Sequence, residues 1–177
     1  MKNNNILSIP KHILSFDNGF TPNDSEHDYK KYCTHMLSRE VSVSSKLFYK
    51  IIPYLIVEYN GRYLVFESNG RYSFNINGLN YIRDNVTYYD PIETIINYNA
   101  DKYGIKNKKD IKCAGYIKTI RSNPDDIAII FVAKLKEDIK APKDGKWMTL
   151  SDLINKCRKF DSFGIEYIDY LVNQKIK

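Results

Sequence analysis

An apolar run over residues 51–59 ends at Asn60-Gly61, and alternation of apolar and polar positions resumes over 62–67. Asn-Gly between two such runs predicts a two-residue hairpin, because both residues accept the left-handed backbone that the tight turn requires. Ser68-Asn69-Gly70 then leads into a third strand, expected over residues 71–76, and Asn77-Gly78 ends it. Residues 112–120 alternate loosely and read as a strand. Residues 126–135 hold Ile127, Ala128, Ile129, Ile130, Phe131, Val132 and Ala133 without a break, the pattern of a strand buried on both faces. A short strand is expected at 146–149, around the only tryptophan, Trp147. Two helices should close the chain. One is capped by Ser151 and runs to Cys157; the other covers 162–172, with Phe163, Ile165, Ile168 and Leu171 or Val172 inward. Before the hairpin, 6–10 reads as a strand, 11–16 as one helical turn, 17–25 as loop and 28–37 as a helix.

The sharpest helical signal is residues 90–105. Asp90 can cap the first free N–H groups, and Pro91 stands at the first helical position, where it loses no hydrogen bond. Glu93 completes a capping-box pattern, and Gly104 is the usual left-handed stop. Ile92, Ile95, Ile96, Ala100 and Tyr103 recur at helical spacing and form the face to be buried. The remaining face carries Asn97, Tyr98, Asp101 and Lys102, the last three at i, i+3 and i+4, so that they project side by side.

A chain of 177 residues with 43% hydrophobic residues supports one domain with a packed core. The 15 tyrosines and 8 phenylalanines make that core aromatic. A net charge of +6 favours anionic partners, either nucleotides or, less directly, nucleic acid, although no long run of like charge builds a dedicated tail. Cys33, Cys113 and Cys157 lack paired spacing and read as reduced thiols of a cytoplasmic protein. No segment reads as a signal peptide or reaches the length of a membrane span, so no membrane partner is expected.

The face formed by Asn97, Tyr98, Asp101 and Lys102 resembles the helix of the Nudix hydrolase signature, Gly-x5-Glu-x7-Arg-Glu-U-x-Glu-Glu-x-Gly-U, with U an aliphatic residue. Aligned on Gly104 and Ile105, Asn97 takes the Arg place and Tyr98 the Glu beside it, while Asp101 and Lys102 take the Glu-Glu pair. Arg83 falls on the opening Gly and Tyr89 on the early Glu. Other landmarks agree in order and spacing. Residues 37–54, from Leu37-Ser38-Arg39-Glu40 to Ile51-Ile52-Pro53-Tyr54, look like a bacterial Nudix subgroup with an N-terminal extension. Residues 73–79 are similar to its strand ending in Gly-Gly-His, with Asn77 for the first Gly and Leu79 for the His. Residues 145–153 look like its closing Trp strand and helix.

The resemblance implies an α/β fold, a Nudix-like α/β/α sandwich with a mixed sheet, in which residues 1–46 form an N-terminal extension packed on a domain of residues 47–177. In that family the helix glutamates hold Mg²⁺ against a diphosphate. Here one of three helix carboxylates survives, as Asp101, which is the candidate metal or phosphate-facing group. Lys102 could pair with a phosphate directly, as a point charge. Arg71 could clamp a phosphate beside the same groove, and Tyr98 could contact a base. The expected function is a degenerate Nudix-fold protein that binds or sequesters a nucleotide or nucleoside-diphosphate derivative without ordinary Mg²⁺-dependent pyrophosphatase activity. No cofactor is certain, and Mg²⁺ enters only if activity survives. Two alternatives stay open. One is an active phosphohydrolase whose metal site is rebuilt from loop carboxylates among Asp84, Asp90, Asp125, Asp126 and Asp161. The other is a protein-interaction module on the same scaffold; a homodimer is also left open.

Overall fold

The structure is a computed structural model that describes residues 5–13, 15–24, 35–38, 46–75, 105, 110–137 and 139–176. Among the described residues nine strands form one mixed sheet: β1 (Asn5–Pro10), β2 (Gly19–Pro22), β3 (His35–Ser38), β4 (Phe48–Tyr59), β5 (Arg62–Ser68), β6 (Arg71–Ser73), β7 (Ile111–Lys118), β8 (Asp126–Lys134) and β9 (Gly145–Thr149). Two helices follow, α1 (Leu150–Lys156) and α2 (Ser162–Ile176), joined through a 3₁₀ turn at Cys157–Lys159. The strand order is β2-β7-β8-β4-β1-β3, and β5 pairs with β4, β6 and β9.

The predicted hairpin is present. Asn60 and Gly61 have φ of 47° and 71°, which folds β5 back on β4 with Tyr59 opposite Arg62. Asn69 and Gly70 repeat that turn between β5 and β6. The central pair, β4 with β8, is parallel over Lys50–Glu58, and β7 flanks β8 antiparallel. Paired on both edges and covered on both faces, β8 is buried from Asp126 to Ala133, which explains its unbroken apolar run.

Period-two alternation divides the core into two faces. The first face carries Leu7, Ile9, Phe16, Tyr49, Ile51, Leu55, Val57, Leu64, Phe66, Tyr116 and the odd-numbered positions of β8, together with Ile105. The second carries Ile52, Tyr54, Ile56, Val65, Tyr72, Phe74, Ala128 and Ile130, packed under Leu153 of α1 and Phe163, Tyr167 and Ile168 of α2. No helix among the described residues is long and apolar enough to cross a membrane.

Four local expectations change. Residues 35–37, placed in a helix, form strand β3 together with Ser38, because Asn5 to Ser8 of β1 offer them an antiparallel ladder. Residues 19–22, placed in a loop, form strand β2 along the edge of β7; Pro22 is tolerated at the end of an edge strand. The third strand stops at Ser73, short of residue 76. Finally, Thr149 rather than Ser151 caps α1: its side chain accepts from the Asp152 N–H, and the Asp152 carboxylate accepts from the Thr149 N–H in return.

Candidate functional site

Of the residues the sequence singles out, Arg71 lies within the described residues, whereas Asn97, Tyr98, Asp101 and Lys102 lie outside them. Arg71 opens β6 opposite Ser68 of β5, exposed at the strand start. Its strand neighbour Tyr72 belongs to the second face, so alternation puts Arg71 on the first face. Ile105, the last residue of the segment 90–105, is 2% exposed within that same first-face core. Glu67, one position away on the ladder, is on the other side of the sheet.

The end of β6 is held by a polar junction on the second face. The fully buried Tyr54 hydroxyl donates to Asp161 Oδ2 at 2.8 Å. It accepts from the Phe74 N–H at 3.3 Å and touches Ser73 Oγ at 3.4 Å. Ser73 Oγ in turn accepts from the Asn75 N–H at 3.0 Å, and the buried Asn75 amide donates to the Pro53 carbonyl at 3.3 Å. Asp161 works at both ends: its Oδ1 accepts from the Gly164 N–H at 2.8 Å in the first turn of α2, as an N-cap does. Its own N–H donates to the Tyr72 carbonyl at 3.0 Å. Burial, and then the Asp161 carboxylate, push the Tyr54 phenol well above its ordinary value. The hydroxyl is therefore a fixed donor that pins β6 between β4 and α2. Sequence reasoning noted Tyr54 only within Ile-Pro-Tyr and Asp161 only as a loop or cap carboxylate. Their partnership spans 107 positions, and no local pattern announces it.

Beside this junction lies an exposed charged edge. Lys146 of β9 pairs with Glu67 and stands 4.4 Å from the centre of the Tyr72 ring; Lys156 lies 5.8 Å from the same ring. The hydrogen bond from Lys146 holds the Glu67 carboxyl below its usual range, and the same bond raises the Lys146 ammonium.

Of the five carboxylates that could rebuild a metal site, Asp84 and Asp90 lie outside the described residues, and the other three have partners. Asp125 pairs with Lys11, Asp126 lies 4.0 Å from the buried Lys50 ammonium, and Asp161 takes the Tyr54 hydroxyl. Among the described residues no three His, Cys, Asp or Glu side chains group as a metal site. A divalent cation such as Mg²⁺ needs several oxygen ligands in close to octahedral order. Committed singly to other partners, these carboxylates do not fit that requirement.

No family model matches the chain, and no curated protein matches it in sequence. Solved structures do match its fold. Tm1382, a candidate Nudix hydrolase, superposes with a TM-score of 0.68 at 16% identity, over 96% of this chain and 99% of that one. A bifunctional NMN adenylyltransferase/ADP-ribose pyrophosphatase from Francisella tularensis, complexed with AMP and a manganese ion, matches with a TM-score of 0.50 at 16% identity. That match covers 70% of this chain and 41% of that one. The order of strands around the parallel β4–β8 pair, the hairpin and the closing helices, together with the match to Tm1382 along nearly the whole chain, make this a Nudix-like α/β fold.

Proposed function

We propose that the protein binds or sequesters a nucleotide or nucleoside-diphosphate derivative and lacks ordinary Mg²⁺-dependent pyrophosphatase activity. Two things support this reading together: the Nudix-like fold, and a sequence that, aligned on Gly104 and Ile105, has Asn97, Tyr98, Asp101 and Lys102 where the family signature is carboxylate-rich. Asp101 is the only carboxylate of the four, too few oxygens for a hard divalent cation. An ammonium at Lys102 instead favours direct pairing with a phosphate. Arg71, on the sheet face that also buries Ile105, would add a second phosphate contact, and Tyr98 an aromatic or hydrogen-bonding contact to the ligand. The AMP held by the Francisella tularensis neighbour supports a nucleotide as the ligand class. In this reading residues 1–46 are an N-terminal extension, residues 47–177 are the ligand-binding domain, and the protein acts in the cytoplasm.

The test is retention. The purified protein is mixed with a nucleotide panel and Mg²⁺, washed and denatured, and the released compounds are identified by mass spectrometry. An intact nucleotide, recovered in amounts up to that of the protein and reduced by Asp101→Ala and Lys102→Glu, is the expected result. Cleaved products accumulating beyond the protein concentration would mean a rebuilt metal site and an active phosphohydrolase. Retention unaffected by both substitutions would move the site elsewhere.

A further inference from the structure

At the end of the sheet where β4 and β8 begin, the first face carries an aromatic cluster flanked by two lysines. The Phe16 ring meets Tyr49 edge-on at 5.8 Å and Tyr116 at 5.0 Å. Tyr49 is 7% exposed. The Lys11 and Lys118 ammonium groups each stand 5.3 Å from the centre of the Tyr49 ring. Lys11 is paired with Asp125. Lys118, half-buried on β7, donates to the Phe16 carbonyl at 3.2 Å and reaches the Tyr49 hydroxyl at 3.5 Å. Both of those oxygens are neutral. Among the described residues no carboxylate stands in ion-pair range of Lys118. An ammonium has three donors and no acceptor, so among the described residues one donor of Lys118 has no partner and its charge meets no carboxylate. Among the described residues two cations around Tyr49 face one carboxylate, Asp125, which leaves this cluster net positive. The electron-rich face of the ring offsets only part of this charge.

We infer that Lys118 and Lys11, both beside Tyr49, form an anion site for the phosphoryl group of a small phosphorylated ligand. A phosphoryl group fits better than a carboxylate, since its several oxygens can accept from more than one donor and its second negative charge balances the excess. The site is built wholly outside residues 97–102, and it stands whether or not those residues bind a nucleotide.

Amine labelling of the wild-type protein, read by mass spectrometry, tests this with inorganic diphosphate as the probe and sodium chloride at matched ionic strength as the control. Labelling of Lys118 and Lys11 should fall several-fold with diphosphate, while Lys134, whose side chain is 76% exposed, should stay unchanged. Lys118→Met should weaken diphosphate binding about tenfold by calorimetry, the loss of one charge-assisted hydrogen bond. Protection of Lys118 should persist in Asp101→Ala and Lys102→Glu, which separates this site from the proposed nucleotide groove. Unchanged labelling of Lys118, or a fall shared equally by Lys134, would overturn the inference. The labelling result decides even if Lys118→Met does not fold.

Discussion

The Tyr54 hydroxyl stands where β4, the end of β6 and the start of α2 meet. Removing that single atom leaves the Phe74 N–H without the acceptor it uses and the Asp161 carboxylate without its buried donor. Hydrogen bonds to charged groups contribute more than neutral ones, and orphaned buried groups keep their desolvation cost. Tyr54→Phe is therefore expected to lower the unfolding free energy by about 1.5–3 kcal/mol, with little change in the denaturant slope. Urea titration of the two proteins at neutral pH checks this. A loss below about 0.5 kcal/mol, the range of surface changes, would mean that the hydroxyl does not hold the junction. The same logic explains why this residue was only half legible. Ile-Pro-Tyr was readable as a strand landmark, and Asp161 as a cap. Their contact depends on where α2 returns to the sheet, which tertiary packing decides.

Among the elements, those whose own residues carry the signal were the readable ones. The hairpin at Asn60-Gly61 and the buried run of β8 announce themselves through turn chemistry and apolar continuity. Strands β2 and β3 do not, because each owes its conformation to a ladder with a distant partner. The signature-like segment was the strongest sequence signal for a site, yet it lies outside the described residues except for Ile105; Arg71 is the one site residue with a described position. For β2 the decisive partner is Gly115, at the irregularity in β7. A Cβ built there would come 2.2 Å from the Thr21 carbonyl oxygen and 2.7 Å from the Phe20 ring. The close approach also seats Phe20 on Tyr170 of α2, with the rings stacked at 3.9 Å. Gly115→Ala must push β2 off β7 and should cost about 1–3 kcal/mol, the usual penalty of overpacking. Hydrogen exchange locates the effect: amides of Gly19–Pro22 should lose protection while those of β4 and β8 keep theirs. Uniform loss across the sheet would mean that β2 is not an independent flap but part of one cooperative unit.

At the scale of the whole molecule the aromatic-rich composition has a pH consequence. The core of the second face buries the phenols of Tyr54 and Tyr167, and burial raises both above their ordinary values, helped at Tyr54 by the Asp161 carboxylate. A group with a raised folded-state value keeps its proton in the native protein at a pH where the unfolded chain has already released it. Its stabilising contribution is complete below the unfolded value, near pH 10, and is lost as pH rises from there toward the folded value. Lys146, raised by its bond to Glu67, has the same sign, but its exposed position keeps its weight small. The unfolding free energy should therefore fall above about pH 10, with a slope of up to about 1.4 kcal/mol per pH unit for each buried phenol. Tyr54→Phe makes the assignment specific. It lowers stability at neutral pH, yet it should flatten the alkaline slope by about one phenol's worth, because one of the raised phenol titrations is gone, while Tyr167 and Tyr63 remain. Denaturant unfolding at steps between pH 8 and pH 11, on both proteins, measures the two slopes. Parallel curves would mean that alkaline loss arises from the 27 lysines and arginines rather than from the buried rings, since the variant leaves every one of those charges in place.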